Sequence, residues 1–245
     1  MKNSRIIRII LFYTIAISIS NLFRFDLLGW NSRLDKLPAY TLILFSPLGA
    51  IGIIIGALIS INLLKKKRKT NMSMWGTSKK LSILMSLIPI ILMFIIGVTN
   101  TKGIDNHYFG LLGAVATLVY CFAEEIGWRG YLEDELWEIK PIIKYSLIGF
   151  LWYFWHLNFI NDVSIVSNLL SLGILILGSW GIGQVAVKTK SIIACACFHL
   201  IVNIMAFNPI IKDGITGKSK LIILFVSIGI WMVILRMWEK QDNLA

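Results

Sequence analysis

The sequence predicts an all-α, polytopic membrane protein built as a bundle of about eight transmembrane helices. Of its 245 residues 57% are hydrophobic and only 15% charged, with a mean hydropathy of +0.76. Soluble domains carry about 25% charged residues. Apolar runs of roughly the ~20 residues that a bilayer core requires recur from end to end. Alternation of period two is missing from these runs, so they read as helices and not as barrel strands. No internal repeat, soluble domain or low-complexity tail interrupts them, and residues 1–245 read as one membrane domain.

The first run, Ile6 to Phe23, is preceded by Lys2, Arg5 and Arg8 and followed by no small-residue cleavage site. It reads as a retained helix with its N-terminus in the cytoplasm. A polar loop from Arg24 to Pro38 leads to the second run, Tyr40 to Leu64. There Gly49, Gly52 and Gly56 are spaced to let helix backbones approach closely. The basic run Lys65 to Lys69 reads as a positive-inside anchor touching anionic lipid, not as a nucleic-acid patch. Leu81 to Val98, with Pro89 inside it, is the third span, and Tyr108 to Gly127 the fourth. The acidic stretch Glu133, Asp134, Glu135 and Glu138 follows. Leu132, Leu136 and Ile139 lie at helical spacing across it, which predicts a short amphipathic helix at the surface. The fifth span starts at Pro141 and ends near Ile160. The sixth, Ser167 to Val187, carries Gly173, Gly178, Gly181 and Gly183. Ile192 to Phe207 and Leu221 to Trp238 complete the set.

Threaded from a cytoplasmic N-terminus, these spans put 17 of the 24 basic residues on the cytoplasmic side. Topology thus accounts for the net charge of +11, and nucleic acid is not among the expected partners. Cys121, Cys195 and Cys197 all lie inside apolar runs, so they read as small helix residues and not as a disulfide framework. The short chain without organelle-targeting segments points to a multi-pass protein of a bacterial plasma membrane.

Against this apolar background the polar residues inside spans stand out. Glu124 and Glu125 close the fourth run, and Arg129 follows Glu125 at (i, i+4), where the two can pair on a helix. Glu124 points about 100° away and is free for another partner. His156 lies in the fifth run, and His199 and Asn203 share one face of the seventh. An unpaired charge in a bilayer costs roughly 2.5–3.5 kcal/mol or more, so three runs carrying such residues predict one shared polar site. The bland readings are interfacial charges for the glutamates and packing for the histidines.

The residue types limit the chemistry. Ser171, Ser179 and Ser191 have no motif around them that would activate a serine. Asp162 and Asp213 fall in loops, which removes an aspartyl dyad. Zinc held by Glu and His is the alternative cofactor reading, but HExxH is absent, and the expectation is no metal and no cofactor. What remains is water activated by a carboxylate, with Glu124 taking the proton, His156 aiding it, and His199 and Asn203 donating to an oxyanion. Trp152 and Trp155 flank His156 and could line a substrate groove; most other tryptophans read as interface belts and packing.

EEIGWR at 124–129 matches the EExxxR motif of the CAAX-protease and bacteriocin-processing family of intramembrane glutamic proteases. WYFWH at 152–156 resembles its FxxxH motif, with Trp152 where Phe is preferred, and HLIVN at 199–203 matches HxxxN. The resemblance covers about 109–207. It implies an eight-helix intramembrane endopeptidase with Glu124 as base, His156 positioning water, and His199 and Asn203 as the oxyanion pocket. Glu125 and Arg129 would be supporting residues, and a peptide or membrane-protein chain the substrate. The non-enzymatic alternative is a membrane protein acting in bacteriocin immunity or envelope regulation by binding. A small transporter or proton relay is disfavoured because no pair of broken helices recurs in two halves.

Overall fold

Among the described residues six helical stretches are long and apolar enough to cross a membrane, one of them, Ala39–Asn62, made of several consecutive helical segments. The computed structural model describes residues 2–34, 36–63, 72–160, 162–207, 211 and 213–242; the basic run 65–69 lies outside them. The chain runs through α1 (Lys2–Arg24), α2 (Ile51–Leu63), α3 (Lys79–Ile96), α4 (Asn106–Gly127), α5 (Pro141–His156), α6 (Ile165–Thr189), α7 (Ile192–Val202) and α8 (Gly217–Asp242). Large apolar side chains such as Ile165, Leu169 and Leu177 of α6 and Phe225 of α8 face outward, as a lipid-bathed surface requires.

Two expected spans are shorter than the sequence implies. The fifth stops at His156, because Leu157 turns into the left-handed region (φ 52) and a short 3-10 turn, Asn158–Ile160, follows. At 1.5 Å per residue α5 is about 24 Å long, short of a ~30 Å hydrocarbon core; the seventh run, by contrast, is helical over its expected length, α7 passing into a π-helical stretch, Asn203–Phe207. The second run is not one helix. Pro47 and Gly49 sit in a 3-10 stretch, Ser46–Ala50, that precedes α2.

Small residues join α1 to α2. A Cβ on Gly52 would stand 2.6 Å from the Ser20 nitrogen, and one on Gly56 would stand 2.7 Å from the Phe12 carbonyl oxygen. Only glycine allows backbones that close. The glycines of α6 divide: a Cβ on Gly183 would collide with the Tyr145 ring, whereas Gly173 and Gly181 face open space.

The acidic stretch after α4 is not a surface helix. A π-helical turn, Trp128–Leu132, carries the chain from Gly127 directly into Glu133–Glu135, and all three acids are buried. Glu135 is held by Arg8 through two bonds, from Nε at 2.8 Å and Nη2 at 3.0 Å. Glu133 accepts from Lys144 Nζ and from the Tyr145 hydroxyl, each at 3.0 Å. Arg5 pairs with Glu138. Partners from α1 and α5 offset the cost of burying these charges, so the segment turns inward.

α1 and α5 then run side by side. Beyond the Arg8–Glu135 pair, the Tyr13 hydroxyl donates to the Leu151 carbonyl at 2.9 Å. Trp155 Nε1 donates to the Ala16 carbonyl at 3.2 Å, and at the far end Arg24 meets the last residues of α5.

Candidate active site

Glu124 and Glu125, side by side on α4, are both fully buried, and each is satisfied on one oxygen. Oε2 of Glu124 accepts from Trp128 Nε1 at 3.0 Å and from Trp152 Nε1 at 2.8 Å. Oε1 of Glu125 accepts from Arg129 Nη1 at 3.0 Å and faces His199 Nδ1 at 2.8 Å. The remaining oxygens, Glu124 Oε1 and Glu125 Oε2, have no hydrogen-bond partner among the described residues.

Local geometry produces most of this. Trp128 and Arg129 each lie four residues after the glutamate they serve, so α4 brings its own donor and its own cation. The π-helical turn starts at Trp128, and such turns are frequent at functional sites because an extra residue re-aims the side chains around it. Gly127 lets α4 press against α2: a Cβ there would lie 1.9 Å from Ile53 Cγ2. Arg129 also donates to the Ser179 carbonyl of α6 at 3.3 Å, and its guanidinium carbon lies 5.4 Å from the centre of the Trp152 ring.

His199 of α7 sits between the two carboxylates. Because Glu125 can only accept, Nδ1 is the donor of the 2.8 Å bond. Its Nε2 lies 3.9 Å from Glu124 Oε2, and Trp152 packs edge-on against the ring at 4.6 Å between centroids. Asn203, one turn on, is buried at the start of a second π-helical stretch and donates from Nδ2 to Cys121 Sγ at 3.1 Å.

His156 closes α5, its ring 6.1 Å from that of Trp152 and 5.0 Å from that of Trp155. Its Nδ1 lies 3.3 Å from Arg24 Nη2. Arg24 also donates to the Trp155 carbonyl at 2.9 Å and stacks over the Trp155 ring at 4.4 Å.

The structure thus brings together two hydrogen-bonded groups, Trp128–Glu124–Trp152 and Arg129–Glu125–His199, which meet at the 3.9 Å contact of His199 Nε2 with Glu124 Oε2, with His156 and Asn203 on the edges. Trp152 and Trp155 are fully buried with their indole N–H groups engaged, on Glu124 and on Ala16. Sequence reasoning does not single out Trp128, although its (i, i+4) spacing from Glu124 is a signal, or Arg24, which adjoins the first apolar run. Among the described residues no group of three or more His, Cys, Asp or Glu side chains is disposed to hold a metal ion.

This cluster occupies a stretch with a family likeness. Residues 106–205 match the Rce1-like family model, type II CAAX prenyl endopeptidase Rce1-like. The matched segment holds all three motifs, so the resemblance read from them is borne out. At the level of this Rce1-like family the chain reads as a membrane protease, in keeping with its long apolar helices. No curated protein and no solved structure matches the chain.

Proposed function

We propose that the protein is an intramembrane endopeptidase in which Glu124 activates water for attack on a peptide bond. One observation carries the reading: Glu124 is buried, clamped on Oε2 by two indole N–H groups, and has its other oxygen unengaged by the described residues. Such a carboxylate is oriented yet retains a lone pair, which a general base needs.

In the proposed step Glu124 Oε1 takes a proton from water while the water oxygen bonds to the scissile carbonyl carbon, with His156 holding that water. The carbonyl oxygen becomes an oxyanion. Nε2 of His199, when protonated, and the second N–H of Asn203 are its donors, each such donor being worth about 10²–10³ in rate. The C–N bond then breaks, and the proton returns from Glu124 to the departing amine.

The family description makes a prenylated C-terminal peptide the first substrate to try, in a chain whose own membrane we read as a bacterial plasma membrane. The test is cleavage of a quenched fluorescent peptide ending in a farnesylated CAAX sequence by the purified chain in liposomes. Glu124→Gln should lower turnover by about 10²–10⁴ while leaving thermal unfolding close to wild type. Wild-type turnover in that variant would refute the assignment and return the cluster to a structural or partner-binding role.

A further inference from the structure

We propose that Arg24 is a positioning residue that fixes His156 in its Nε2–H tautomer. The inference rests on the proposed function only for its catalytic consequence. Arg24 lies outside the segment with the family likeness, 132 residues before His156. Its guanidinium reaches the end of α5 with two bonds, Nη1 to the Trp155 carbonyl at 2.9 Å and Nη2 to His156 Nδ1 at 3.3 Å. Stacking on the Trp155 ring holds its plane.

A guanidinium has five N–H donors, no acceptor, and keeps its proton. A ring nitrogen facing it can therefore only accept. Nδ1 of His156 is that nitrogen, so in the neutral ring the proton sits on Nε2. The two nitrogens lie on opposite sides of the imidazole, and Nε2–H points away from Arg24. His156 then serves the reaction as a fixed hydrogen-bond donor to water or to the developing oxyanion, and Glu124 alone accepts the proton. The charged and titratable groups around His156 include Arg24 from α1 and His199 from α7.

Arg24 also caps the end of α5, so a simply structural role has to be separated from the positioning one. Nitrogen NMR on protein carrying ¹⁵N-histidine does so, since the sequence has three histidines and His107→Gln removes one signal set. Wild-type His156 should show a protonated Nε2 and a bare Nδ1. Arg24→Gln should turn this into mixed tautomers, with Arg24→Lys restoring part of the wild-type pattern. A protonated Nδ1 in the wild type, or identical signals in wild type and Arg24→Gln, overturns the proposal.

Cleavage of the farnesylated probe gives the second readout. Arg24→Gln should move the acid limb of kcat/KM up by about one pH unit, with the loss largest on the acid side and recovery as the pH rises. A uniform loss at every pH would reduce Arg24 to a helix cap and overturn the catalytic part. If the wild type cleaves nothing while the NMR pattern holds, the protease reading fails and the tautomer assignment stands.

Discussion

Glu125→Gln is the substitution whose cost the structure defines best. Glu125 Oε1 takes two charge-assisted bonds, from Arg129 at 3.0 Å and from His199 at 2.8 Å, with Glu125 and Arg129 wholly shielded from solvent. Bonds to charged groups are worth about 1.5–3 kcal/mol each, which brackets the total near 3–6 kcal/mol. Removing one partner of a buried ion pair costs about 3–5 kcal/mol, because the survivor is left uncompensated. The survivor here is Arg129, whose other acceptor among the described residues is the Ser179 carbonyl at 3.3 Å. For a chain of this size 3–5 kcal/mol corresponds to a fall of roughly 6–20 °C in Tm. Thermal unfolding in detergent measures it, and a double-mutant cycle isolates the pair: Glu125→Gln with Arg129→Met should recover at least 2 kcal/mol over the sum of the single changes. A single variant within about 1 kcal/mol of wild type, or a cycle with no coupling, would show that the pair is solvated and not the buried anchor described.

Two further substitutions test the packing around the site. Gly127→Ala should destabilise by about 1–3 kcal/mol through the clash with Ile53 Cγ2, and Ile53→Ala in the same chain should relieve it; purely additive effects would contradict that contact. Arg8→Gln should cost about 2–3 kcal/mol, below the value for a fully buried pair because the Arg8 side chain is 15% exposed, whereas Lys188→Ala, losing a half-exposed partner in Glu239, should cost less than about 1 kcal/mol in the same unfolding assay.

What the sequence discloses follows the separation of the partners. The Glu125–Arg129 pair is legible because four residues on a helix are neighbours whatever surrounds them. His156, His199 and Asn203 are legible as a group through the cost of polar residues in lipid and through the FxxxH-like and HxxxN motifs, neither of which says how their partners are bonded. The burial of Glu135 was hidden because its partner, Arg8, lies 127 residues away at the other end of the chain's reach. Read locally, the acidic stretch looks solvated. The first apolar run carries no motif, and so its Arg24 passed for a loop residue. The early stop of α5 was hidden for a different reason: apolar composition continues to Ile160, and the left-handed turn at Leu157 falls on a residue that rarely adopts one.

Helix arithmetic explains why these distant residues meet. The pairs Arg8–Glu135 and Lys144–Glu133 pin α1, the end of the α4 stretch and the start of α5 at one level. Counting back from Glu135 to Glu124 and forward from Pro141 to Trp152 gives the same interval of about 16 Å at 1.5 Å per residue, and there the Trp152 indole bonds Glu124. From Arg8 to Arg24 along α1 is about 24 Å, and from Pro141 to His156 along α5 about 22 Å, so these two arrive together as well. Had α5 continued as a full span, the Trp155 carbonyl would be taken up by its own helix. Ending there leaves a carbonyl that lipid cannot satisfy, and the negative end of the helix dipole beside it. Arg24 answers both needs, with Asn21 Nδ2 a second, longer donor to the same oxygen at 3.4 Å. The short helix therefore does more than bring His156 to the depth of Glu124. Its premature end creates the acceptor that draws a cation from α1, and that cation, once seated, has the imidazole as its neighbour.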